Sequence, residues 1–122
     1  MAKTNPYVEF IIEQFEALGI ITARSMFGGH TLYCNDIPFA LIANSEIFLK
    51  ADDKNRPEFE ARGLQAFRPF EGKPGVMQYF QTPPEVFEDR EALQHWGWGA
   101  VEAGRRAQAK KKTRPKKRQA TN

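Results

Sequence analysis

The side chains of this chain best suited to chemistry are His30, Tyr33 and Cys34, which follow the pair Gly28-Gly29 in one short stretch. A cysteine nucleophile needs a neighbouring base or a cationic setting to form its thiolate. On a regular strand His30 and Cys34 share a face but stand about 13 Å apart, by the rise of ~3.3 Å per residue. That is too far for a hydrogen-bonded pair, and Cys34 therefore reads as a small core residue. The alternative is a small enzyme or ligand-binding protein, with a pocket near Gly28-Gly29 lined by His30, Tyr33 and an arginine such as Arg24. Its signature would be a deep cavity with converging polar groups and a strongly perturbed ionisable group.

Other constellations are weaker. A metal site would have to gather Cys34, His30, His95 and distant carboxylates, without any CysXXCys or HisXXXHis spacing to support it. No metal and no cofactor is expected. Asp52-Asp53 is better read as a helix cap than as a general-acid pair, because a carboxylate satisfies free amides and the positive end of a helix. Gly28-Gly29 lacks the GlyXGlyXXGly or GlyLysSer/Thr context of a phosphate loop. With Met26 and Phe27 it reads instead as a structural bend between strands.

The basic end has a stronger claim. From Arg105 onward there are nine basic residues and no acidic one; the preceding part holds nine basic against fifteen acidic, a net of −6. Lys110, Lys111, Lys112, Arg114, Lys116, Lys117 and Arg118 could neutralise phosphates, giving salt-dependent affinity without sequence preference. No aromatic residue interleaves with them, so base stacking is not suggested. The competing reading is a solubilising tail. Because the preceding part is acidic, contact with nucleic acid is expected from the tail rather than from the fold.

Composition narrows the class. A chain of 122 residues fits one domain. Ten Phe, three Tyr and two Trp can fill a core without disulfides, and the single Cys34 permits none within the chain. No apolar run approaches the roughly 20 residues of a membrane span, and no signal-peptide pattern opens the sequence. The expectation is a cytoplasmic protein with no membrane partner.

Local patterns supply the elements that would position these residues. Asn5-Pro6 opens a helix carrying Tyr7, Ile11, Phe15 and Leu18 on one stripe, with Gly19 as its stop. Strands are expected over residues 20–27, 30–34, 37–43 and 46–50, with turns at Asn35-Asp36 and Asn44-Ser45. In the third, Ile37, Phe39, Leu41 and Ala43 alternate with Pro38, Ala40 and Ile42, so it should be buried on both faces. One face would be covered by the chain's own helices and the other by a partner helix or a second copy, which makes a homodimer a candidate.

A short helix capped by Asp52-Asp53 should run to about Arg62, with Phe59 inward and Gly63 closing it. Residues 66–70 and 76–81 suggest a further hairpin, stopped by Pro83-Pro84. A last helix from about Asp89 places Leu93, Trp96, Ala100 and Ala103 or Ala107 inward. Gly97, Gly99 and Gly104 lie within it, and either a close approach or fraying after Gly104 would account for them. From Lys110 on, nothing apolar is left to bury, and disorder is expected. The fold class is α+β: an antiparallel meander of about six strands with an N-terminal, a short middle and a C-terminal helix. The folded domain would span 1–104, with a basic helix end and tail over 105–122.

MetPheGlyGlyHisThrLeuTyr (Met26 to Tyr33), PheAlaLeuIleAla (Phe39 to Ala43), IlePheLeuLysAla (Ile47 to Ala51) and ArgProGluPheGluAlaArgGly (Arg56 to Gly63) stand in this order. Together they resemble the N-terminal domain of the TfoX/Sxy family of competence regulators, over roughly Tyr7 to Ala103. The resemblance implies helices packed on an antiparallel sheet. It also implies a bacterial, non-enzymatic role in transcription regulation, as a co-activator beside a cyclic-AMP receptor protein, with no catalytic residue to carry over. The longer regulators have a second, helical domain where this sequence has its basic run. The resemblance therefore bears on scaffold more than on the competence role. The expected function is a regulatory or interaction module with a protein partner, and with nucleic acid contacted through the tail.

Overall fold

The computed structural model describes residues 6–26, 29–43, 45–67 and 78–113. Helix α1 (Pro6–Phe15) runs into a 3-10 turn (Glu16–Leu18), and strands β1 (Ile21–Met26), β2 (Gly29–Cys34), β3 (Ile37–Ala43) and β4 (Glu46–Lys50) follow. Helix α2 (Arg56–Ala61), strand β5 (Tyr79–Gln81), a 3-10 turn (Pro84–Phe87) and helix α3 (Arg90–Thr113) complete the order.

All five strands join one antiparallel sheet in chain order. Turn chemistry makes this meander possible. Asn35 and Asp36 both take positive φ, 52° and 70°, the backbone pair that matches the twist of a two-residue hairpin. Ser45 does the same at 62°. The register shifts between Leu32 and Tyr33, where β3 carries an extra residue and Phe39 becomes fully buried.

Cross-strand partners share a face. Leu32, Ala40, Leu49 and Phe80 form one row, the row the helices cover. Phe80 stacks on Phe59 of α2 at 5.2 Å, and Phe59 meets Trp96 of α3 edge-on at 5.0 Å. At the other end Phe15 of α1 sits edge-on to Phe39 (5.2 Å) and Phe87 (5.7 Å). A fully buried side chain of this size stabilises the fold by about 1.5–3 kcal/mol. These clusters tie all three helices to the sheet.

Thr31, Leu41 and Phe48 form the row on the opposite face, and all are buried. Phe67 lies against Phe48 at 4.8 Å. So β3 is buried on both faces as expected, and Leu41 and Phe48 are already covered within a single chain. In α1 the stripe differs by one position: Val8, Ile11 and Phe15 face the core, while Tyr7 is exposed and donates its hydroxyl to the Ser45 carbonyl (3.0 Å).

Among the described residues the sheet has five strands, against about six expected. In the expected second hairpin, β5 is confined to Tyr79–Gln81. Ala66 makes only an isolated bridge to Phe80, and the intervening residues 68–77 lie outside the described residues. Helix α3 does not end at Gly104; it continues to Thr113, with Leu93, Trp96, Ala100 and Ala103 buried. The disorder expected from Lys110 on thus gives way to helix through Thr113, and residues 114–122 lie outside the described residues.

Two of the helix glycines mark close approach. A Cβ at Gly104 would fall 2.3 Å from the Pro38 carbonyl oxygen, and one at Gly97 would fall 2.7 Å from Leu18 Cδ1. Backbone cannot yield at Gly104, so only a residue without Cβ lets α3 lie this close to β3, whereas at Gly97 the neighbour is the tip of a leucine side chain that can shift.

Candidate functional site

Among the described residues, no hydrogen bond or ion pair joins His30, Tyr33 and Cys34 to one another. Cys34 is fully buried, and its thiol donates to the Leu18 carbonyl at 3.5 Å. Burial pushes its pKa up, against a smaller opposing pull from Arg105, so the thiolate is disfavoured. His30 pairs across the sheet with Ser25 and Ile42, and the Arg24 guanidinium lies 5.7 Å from the Tyr33 ring centre. Gly29 is held against β3, where a Cβ would stand 2.3 Å from the Ile42 carbonyl oxygen. Met26 closes β1 opposite Gly29; Phe27 of the expected bend, and Gly28, beside which the alternative pocket was expected, lie outside the described residues. Among the described residues, no three His, Cys, Asp or Glu side chains group as metal ligands. His95 binds Glu58 at 2.8 Å on the surface. Among them, too, no helix is long and apolar enough to cross a membrane.

A groove does form elsewhere, between the end of β4, the loop leading to α2 and the C-terminal half of α3, with a volume of about 640 Å³. Its basic lining comes from four elements: Lys50 from β4, Lys54 from the loop, Arg56 from the start of α2, and Arg106 and Lys110 from α3. Asp52 and Asp53 are its carboxylates. Five cations against two carboxylates leave a net of +3.

Asp52 organises the groove. It does not cap α2, whose first-turn flank is Asn55 without a side-chain cap bond. Its Oδ1 accepts from the amides of Lys54 (3.0 Å) and Asn55 (3.4 Å), which bends the loop. Arg106 then donates to it twice, Nε to Oδ2 at 2.6 Å and an outer guanidinium nitrogen to Oδ1 at 2.9 Å. The hydrogen bond from Arg106 holds the Asp52 carboxyl below its ordinary pKa. The same pair raises that of Arg106. Asn55 is buried behind them; its Nδ2 donates to the carbonyls of Lys50 (3.1 Å) and Gly99 (3.3 Å). Loop, strand end and helix are thereby stitched into one wall.

Of the basic residues singled out in the sequence, Lys110 lines the groove and is exposed. Positions 111 and 112 continue the helix. Arg114, Lys116, Lys117 and Arg118 lie outside the described residues. The groove cations Lys50, Lys54 and Arg56 had no signal in the sequence, because nothing local to them points toward Arg106, fifty-four residues from Asp52.

A family model described as the TfoX N-terminal domain matches residues 13–104. No curated protein matches this chain.

Proposed function

Because this chain belongs to the TfoX N-terminal domain family, we propose that it is a non-catalytic regulatory and interaction module. Its folded body contacts protein, and its basic C-terminal end contacts nucleic acid. The observation that carries the reading is positional. The family match closes at Gly104, and from Arg105 onward every charged residue is basic. Such a run, set at the end of a domain that is otherwise acidic, concentrates phosphate affinity at one end of the molecule. The buried, protonated Cys34 supports the non-catalytic part. By the family likeness the module works in the regulation of transcription, in the bacterial cytoplasm, and the likeness bears on the scaffold more than on the competence role.

The test is binding of a fluorescent DNA duplex by the full chain and by a chain lacking residues 110–122, over a range of salt. Affinity should fall steeply with salt and collapse on truncation. Unchanged affinity after truncation would overturn the nucleic-acid part. Affinity capture with nuclease present should retain a protein partner; loss of every partner on nuclease treatment would overturn the protein-contact part.

A further inference from the structure

We infer that the groove between the β4–α2 loop and α3 is a cradle for the phosphodiester backbone of duplex DNA, so that the fold as well as the tail makes contact. The inference deepens the nucleic-acid reading above and rests on it.

The acidic balance of residues before Arg105 argues against such contact only if charge is spread evenly, and it is not. The groove gathers Lys50, Lys54, Arg56, Arg106 and Lys110 around two carboxylates. One of these, Asp52, is taken up by the two-pronged bond from Arg106. The groove residues therefore carry a net positive charge, with Lys50 Nζ also lying 4.9 Å from the Tyr79 ring centre.

Three features select a phosphate backbone over other ligands. Among the described residues, the lining holds no aromatic ring on which a base or an apolar ligand would stack. Its cations come from separate elements whose backbones Asn55 ties together, which lowers the ordering cost of a contact made at several points. The helix also continues: α3 carries Lys110 at the groove and runs on as helix from Arg106 to Thr113. That adds about 10 Å of helix at ~1.5 Å per residue, enough to follow a backbone beyond a single phosphate.

The decisive comparison uses Lys54→Gln/Arg56→Gln in the full chain and in the chain lacking residues 114–122, titrated with one short DNA duplex at several salt concentrations. Arg90→Gln, at the far end of α3, serves as the control, and circular dichroism checks that each variant is folded. The double variant should weaken binding in both backgrounds. It should also flatten the slope of log affinity against log salt by about 2, the value for two phosphate contacts, while the control leaves both unchanged. A double variant that binds like the parent in both backgrounds, or a control that weakens binding equally, overturns the cradle. If truncation abolishes binding while the groove variant is silent, the tail reading stands alone. If the groove variant weakens binding while truncation does nothing, the cradle stands and residues 114–122 make no contact.

Discussion

Arg106 and Asp52 are joined by two hydrogen bonds, at 2.6 and 2.9 Å, across fifty-four residues of chain. This pair pins the loop after β4 to the last buried turn of α3. It sets the position of one groove wall relative to the other, and so converts a charged sequence end into part of a shaped surface.

The pair makes stability depend on pH in a defined direction. Asp52 has a folded pKa below its unfolded value. Its contribution is therefore fully present above the unfolded pKa of about 3.9 and is lost as pH falls through the folded value. With side-chain exposures of 35% for Arg106 and 24% for Asp52, screening limits the contribution to about 1 kcal/mol or less. Thermal unfolding of Asp52→Asn should show a lower midpoint than the parent at neutral pH, with the gap closing in acid. A gap that persists below the folded pKa would contradict this role for the carboxylate.

Two glycines of α3 should respond oppositely to the same substitution. At Gly104 an added Cβ meets the Pro38 carbonyl oxygen at 2.3 Å, and backbone cannot yield cheaply. Gly104→Ala should destabilise by about 1–3 kcal/mol or more. At Gly99 the nearest group is Asn55 Nδ2 at 3.8 Å, an ordinary contact. There Ala should stabilise by up to about 1 kcal/mol through helix propensity. Urea unfolding of the two variants checks the sign of each.

Cys34 should resist modification in the native state. Its sulfur is buried, bonded to the Leu18 carbonyl and held in the thiol form. Reaction with a chromogenic disulfide reagent should be slow in buffer and prompt in denaturant. Fast native labelling would mean that the site opens and that the thiol is available for chemistry.

Phe15 joins α1 to both Phe39 and Phe87 and is fully buried. Phe15→Ala should cost about 3–5 kcal/mol, a large share of the stability of a domain this size. Denaturant titration would report it as a fall in midpoint. A loss below 1 kcal/mol would mean that α1 is not an integral part of the core.

By itself the sequence determined the elements that depend on near neighbours. Strands β3 and β4 stand at the residues that alternation and turn chemistry indicate, since a period of two and the positive φ of Asn35, Asp36 and Ser45 are local properties. Phe59, Gly63 at φ 73° and the stripe from Leu93 to Ala103 were legible for the same reason. The family motifs were legible as well, because they lie in these same elements.

The tertiary structure alone decided what Asp52 binds, that Lys54 and Arg56 line one groove with Arg106, why Gly104 must lack a side chain, and that five strands make up the sheet among the described residues. Asp52-Asp53 carried a real turn signal, and in the fold that signal serves a loop and a distant arginine instead of a helix end. Local preference is set within a few residues of chain. A groove is made where segments far apart in sequence are brought together by burying a common core, and no short-range pattern encodes that meeting.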